Sequence, residues 1–92
     1  MSNTSLKMRI AAEANSLLAG LEEPDPTRWL SFSRHLKLAV GSLEKLTRSQ
    51  RDAGSELASR LECLFWDYQE GLQANASDDL RSVQEWIASV PD

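Results

Sequence analysis

Four segments of this chain repeat apolar residues at the spacing of an α-helix, and none sustains the alternation typical of a β-strand. A helix with one apolar stripe is stable in water only when that stripe packs against another element. The sequence therefore predicts an all-α fold, an antiparallel helical hairpin or bundle of three to four helices in one domain over residues 1–92. The predicted helices cover residues 4–20, 26–47, 50–73 and 78–90, and residues 1–3 are expected to be disordered.

Each predicted helix carries a single stripe, and helix-capping residues support two of the predicted starts. Asp25 is expected to be an N-cap with Pro26 in the first turn, and Ser77 is expected to cap a helix whose first turn holds Asp78 and Asp79. The stripes consist of Leu6, Ile10, Ala14, Leu17 and Leu21; Trp29, Phe32, Leu36, Val40, Leu43 and Leu46; Leu57, Leu61, Leu64, Tyr68 and Leu72; and Leu80, Val83, Ile87 and Val90.

Residues 47–56 separate the second stripe from the third and leave two architectures open. The stripe keeps its phase across this polar segment, which favours one long helix over residues 27–74 with short flanking helices. Gly54 lowers helix propensity, however, and Ser49 with Asp52 resembles a capping box that starts a new helix. We predict the break, and therefore a hairpin, with the long helix as the alternative.

Charge is sorted along the chain in blocks that agree with the hairpin. Residues 28–51 hold six bases and one acid, whereas residues 52–92 hold two bases and nine acids. Folding the second helix back on the third therefore places a basic helix beside an acidic one. Exposed ion pairs contribute only about 0–1 kcal/mol each, so this pattern selects among packings without holding one together.

Two groups of side chains are predicted to point away from the core. Trp66 lies about 150° from the centre of its stripe on a helical wheel. It is either covered by the first or fourth helix or is an interface anchor, because tryptophan is enriched at binding hot spots. The second group is a basic face on the second helix, either solvated or a docking strip for an anionic partner. The candidate partner-binding residues are Trp66, Glu62, Glu70, Arg34, Lys37, Leu38, Lys45 and Arg48.

The residue types that carry chemistry are scarce in this sequence. It has one histidine, His35, and one cysteine, Cys63, each expected to pack in the core or at its boundary. We therefore expect no enzyme, no metal site and no cofactor. A single cysteine fits a reducing, cytoplasmic compartment, and no segment approaches the roughly 20 apolar residues of a membrane span.

The sequence thus predicts a non-enzymatic protein–protein interaction module that binds an amphipathic helix of a partner or associates with itself as a homo-oligomer. In size, acidity and predicted helical content the chain resembles the small cytoplasmic chaperones of bacterial export and flagellar systems. That resemblance is one of class, and an adaptor or inhibitor has the same features. The alternatives are a structural coiled-coil subunit built on the long helix, and a nucleic-acid or anionic-surface binder that uses residues 28–51.

Overall fold

The computed structural model describes residues 3–92, and within that range it contains four α-helices and no strand. The all-α prediction is confirmed, and the alternative of one long helix over residues 27–74 is wrong. The helices are α1 (Thr4–Ala19), α2 (Pro26–Ser42), α3 (Arg48–Gln69) and α4 (Ser77–Ser89).

The break between α2 and α3 is built by backbone geometry on one side and by a cap on the other. Leu43 is extended, and Lys45 has a left-handed φ of 63°, so α2 ends at Ser42 rather than at residue 47. A capping box starts α3: the Thr47 hydroxyl accepts from the Gln50 amide at 3.0 Å, and the Gln50 side chain accepts from the Thr47 amide at 2.9 Å. The predicted box at Ser49 and Asp52 is therefore wrong by two residues.

A glycine ends α3 four residues before the predicted limit. Gly71 has a φ of 78°, which a residue without a Cβ adopts without strain. The amide of Leu72 donates to the carbonyl of Asp67 at 2.9 Å, and that of Gly71 donates to Tyr68 at 3.1 Å. These two bonds form a Schellman motif, which ends α3 at Gln69.

The starts of α2 and α4 differ in how they are capped. Asp25 caps α2 as predicted, and the Thr27 hydroxyl that donates to this carboxylate lowers its pKa below the usual value. In α4 the N-cap is Ala76, without a side-chain cap, so the prediction of Ser77 is wrong. The side chain of Asn75 accepts from the Ser77 amide at 2.9 Å instead.

The four helices form a ring in which each packs antiparallel to two neighbours. Helix α2 packs most extensively along α3, and α1 on α4 closes the ring. The Ser33 hydroxyl, for example, donates to the carbonyl of Ala58 at 2.7 Å inside the α2–α3 interface. The buried apolar core is Ile10, Ala14, Leu17, Trp29, Phe32, Leu36, Ala39, Val40, Leu43, Leu57, Ala58, Leu61, Ala76, Leu80, Val83, Trp86, Ile87 and Val90.

Gly54 lies where α2, α3 and α4 meet, and it is buried. A methyl group at this position would lie 2.6 Å from Cζ2 of Trp86 and 2.7 Å from Cγ2 of Val40. The Trp86 indole is held in place because its Nε1 donates to the carbonyl of Gln50 at 2.8 Å. The glycine that lowers helix propensity is therefore required by packing.

Asn3 joins three segments at the end of the bundle where α1 begins. Its side-chain nitrogen donates to the carbonyls of Glu44 and Pro91, both at 2.8 Å, and its oxygen accepts from the Glu44 amide at 2.8 Å. Asn3 is 5% exposed, so the prediction of disorder over residues 1–3 is wrong for this residue. Residues 1 and 2 lie outside the described range.

Adding one methyl group at Gly54 tests the three-helix junction. We expect Gly54→Ala to lower the free energy of unfolding by about 1–3 kcal/mol, because overpacking outweighs the gain in helix propensity. Gly41→Ala is the matched control, since Gly41 is a helical residue with no atom within 4 Å of an added Cβ. The free energy of unfolding of Gly41→Ala should rise by about 0.5–1 kcal/mol. Urea unfolding measures both free energies. An equal increase in the two variants would contradict the close packing of three helices at Gly54.

Replacing the Asn3 side-chain amide with a carboxylate tests whether Asn3 holds together the three segments that it joins. Asn3→Asp removes both N–H donors and turns a negative charge toward two carbonyl oxygens, so we expect a loss of about 2 kcal/mol or more. Asn75→Asp is the control, because the Asn75 oxygen only accepts a hydrogen bond and lies near the start of α4. Thermal unfolding at neutral pH should show a large decrease for the first variant and none for the second. Similar melting temperatures would show that Asn3 does not hold the segments.

Candidate interaction surface

The outer face of α3 carries a tryptophan between two acids. Glu62 lies four residues before Trp66 and Glu70 four residues after it, so the three side chains occupy successive turns of one face. The indole is 55% exposed, so the alternative in which α1 or α4 covers it is wrong. The other two tryptophans, Trp29 and Trp86, are buried.

Two neighbours enlarge the apolar area around Trp66. The Phe65 ring meets the Trp66 ring edge to face, with centroids 5.0 Å apart. A Schellman motif frequently brings the residue after the glycine against the residue six positions before it, which here is Trp66, so we expect Leu72 to lie near the indole. Leu72 is 55% exposed, and its predicted place in the buried stripe is wrong. We call Phe65, Trp66 and Leu72 the Trp66 patch.

Tyr68 also departs from the prediction that it belongs to the buried stripe. Its side chain is 42% exposed, although its ring packs edge to face on Trp29 with centroids 5.7 Å apart. The last two turns of α3 therefore extend beyond the fully buried part of the core, which on this helix ends at Leu61.

An ion pair joins α2 to Glu62 on the outer face of α3. The Lys37 ammonium lies 3.0 Å from the Glu62 carboxylate, and both side chains are partly exposed. Because α2 and α3 are antiparallel, Arg34 lies one turn further along α2 in the direction of Trp66. The structure thus brings the predicted residues Arg34, Lys37, Glu62 and Trp66 to one face of the α2–α3 hairpin.

Glu70 belongs to this face as well, whereas the predicted residues Leu38, Lys45 and Arg48 do not join it. Helix α2 ends at Ser42, so Lys45 lies in the loop and Arg48 begins α3, at the opposite end of the hairpin. The predicted basic strip is therefore divided into two separate pairs of cations. Leu38 is 70% exposed and lines the groove between α1 and α2.

Two acids beside the Trp66 patch keep their charges unpaired. Across residues 3–92, neither Asp67 nor Glu70 forms an ion pair. The nearby cation on α3, Arg60, already contacts Glu56 at 3.1 Å and Asp79 at 3.8 Å. The surface around the indole is therefore negative on the side away from α2. Periodicity did not single out Asp67, and it placed Leu72 in the buried stripe; the signal for the exposure of Leu72 was Gly71, which ends the helix just before it.

His35 and Cys63 are both exposed, so the prediction that they pack in the core or at its boundary is wrong. His35 faces α1, where its Nδ1 lies 3.0 Å from a Glu13 carboxylate oxygen. Cys63 lies three residues before Trp66 on the outer side of α3. Among residues 3–92 there is no cluster of histidine, cysteine or acidic side chains that could hold a metal ion. None of the helices in that range is long and apolar enough to cross a membrane.

Comparison of the chain with protein-family models, with curated proteins and with solved structures finds no match. The most distinctive feature of the molecular surface is the Trp66 patch, in which the exposed indole contacts a second aromatic ring.

The patch makes a mutational prediction that separates surface from core on one helix. Trp66→Ala should change the free energy of unfolding by less than about 1 kcal/mol, because the indole is already half in water. Leu61→Ala should lower it by about 2–5 kcal/mol, because Leu61 is fully buried. Denaturant unfolding followed by circular dichroism measures both. Equal losses would mean that Trp66 is part of the core.

Proposed function

We propose that this domain is a non-enzymatic protein–protein interaction module and that the Trp66 patch is its contact surface. The observation that carries the proposal is the exposed indole on a bundle whose other two tryptophans are buried. Isolated exposed apolar residues are common, but here an exposed indole contacts a phenyl ring near the end of a helix, and an exposed leucine follows that end.

Energetics favour a role in association for this patch. A buried tryptophan removes about 150–250 Å² from water, and tryptophan is among the residues most enriched at binding hot spots. The bundle leaves about half of that area in solvent, so the indole adds little to folding. A partner that covers the patch would remove this remaining apolar area from water, and that burial would stabilise the complex.

The proposal covers a chaperone, an adaptor or an inhibitor, and it includes self-association as a homo-oligomer. A reducing, cytoplasmic compartment remains part of it, because the one cysteine is exposed and free. A nucleic-acid or anionic-surface binder has less support, since the cations form two separate pairs and Lys37 already contacts Glu62. A structural coiled-coil subunit has less support, since the long helix on which it would be built is broken between Ser42 and Arg48.

The native cysteine gives a direct test in the full chain. Cys63 lies one turn from Trp66, so a benzophenone group attached to its thiol reacts with whatever covers the patch. We expect irradiation in host extract to yield a defined adduct, either with one partner or with a second copy. Trp66→Ala should reduce its yield roughly tenfold, as the loss of a hot spot does.

The matched control moves the same group to another face. Ala12 is exposed on α1, which packs between α2 and α4, so Cys63→Ser with Ala12→Cys carries the label away from α3. This variant should give none of the Cys63 adducts. Identical adducts from both positions, or a yield unaffected by Trp66→Ala, would overturn the proposed function.

A further inference from the structure

We infer that the Trp66 patch binds a basic amphipathic α-helix supplied by another protein. This inference rests on the proposed function and specifies the chemistry of the partner. It follows from two features of the same surface: the shape of the outer face of α3 and the sign of the charges around the indole.

The shape suits an elongated, regular partner. Ser55 and Ser59 are exposed and small, and they continue the face of Trp66 toward the start of α3. From Ser59 to Glu70 this face is about 16 Å long, or three helical turns. A helix laid beside α3 can therefore place apolar residues at successive turns on the indole and on Leu72, as helix-binding proteins do.

The charges around the indole select a cationic partner. Residues 61–72 hold three acids, Glu62, Asp67 and Glu70, and no base. Lys37 neutralises Glu62 on the α2 side, whereas Asp67 and Glu70 form no ion pair within residues 3–92. Lysine or arginine beside the apolar stripe of a partner would complete these two pairs. Complementary charge of this kind raises the association rate and disfavours acidic partners.

A second copy of the chain fits this surface poorly. In a two-fold symmetric dimer every contact occurs twice: if residue i of one chain contacts residue j of the other, then residue j of the first chain contacts residue i of the second. If two α3 helices pair at Trp66 in antiparallel orientation, Glu62 of one lies opposite Glu70 of the other. In parallel orientation each acid meets its own counterpart. Both arrangements set like charges together, which costs affinity and argues for a different chain.

Two synthetic peptides test the inference on the intact protein. Both have about 18 residues, long enough to form a helix, with leucine at positions i, i+3, i+4 and i+7. The other positions are lysine in one peptide and glutamate in the other. Nitrogen-15 NMR titrations locate binding through the amide signals of α3 and the indole signal of Trp66.

We expect the lysine peptide to shift the signals around Trp66, and the glutamate peptide to shift none. Trp66→Ala should weaken binding at least about tenfold. Asp67→Asn with Glu70→Gln should weaken it several-fold and reduce its dependence on salt. The control pair Asp52→Asn with Glu85→Gln removes the same charge from exposed positions, and Asp52 lies about 21 Å from Trp66 along α3. This control should leave affinity nearly unchanged.

The contrary results separate the inference from the proposed function. Equal binding of the two peptides at Trp66 overturns the basic partner while leaving an apolar contact surface in place. Equal weakening by the two acid pairs, or no effect of Trp66→Ala, means that the lysine peptide binds acidic protein without using the patch, which also overturns the inference. The same holds if neither peptide binds. The proposed function is decided separately by the Cys63 cross-link.

Discussion

The contact of Trp86 with Gly54 fixes the positions of three of the four helices. The indole of α4 lies against the backbone of α3 where only a hydrogen fits, and Val40 of α2 meets the same point. The bond from Trp86 to Gln50 sets the rotation of the ring, because a buried indole N–H needs an acceptor. With Trp86 and Val40 on one side of α3, no helix within residues 3–92 packs on the opposite side of α3.

This arrangement explains why the surface around Trp66 exists. Helix α3 has 22 residues and α4 has 13, so the last turns of α3 extend past the fully buried core. Gly71 then ends the helix, and Leu72 after it is exposed. The stability of the bundle comes from its inward faces and from contacts such as that of Asn3 with Glu44 and Pro91. The outward face of α3 is consequently free to serve association without weakening the fold.

Apolar spacing predicted the fold because the period of apolar residues within one helix can be read from a short stretch of sequence. The outward position of Trp66 followed from the same helical wheel. The ends of helices were harder to predict: Lys45 adopts a left-handed backbone that its residue type does not indicate, and Gly54 was interpreted as a weak point rather than a site of close packing. The role of Asn3 could not be predicted, because its partners lie 41 and 88 residues away.

Trp66 lies in solvent on a bundle that encloses the other two indoles. Hydrogen exchange of the three indole N–H groups, measured by NMR in dilute protein shown to be monomeric, tests it most directly. We expect rapid exchange and strong broadening by a soluble paramagnetic agent for Trp66, with slow exchange for Trp86, which donates to Gln50. A Trp66 indole as protected as that of Trp86 would contradict it.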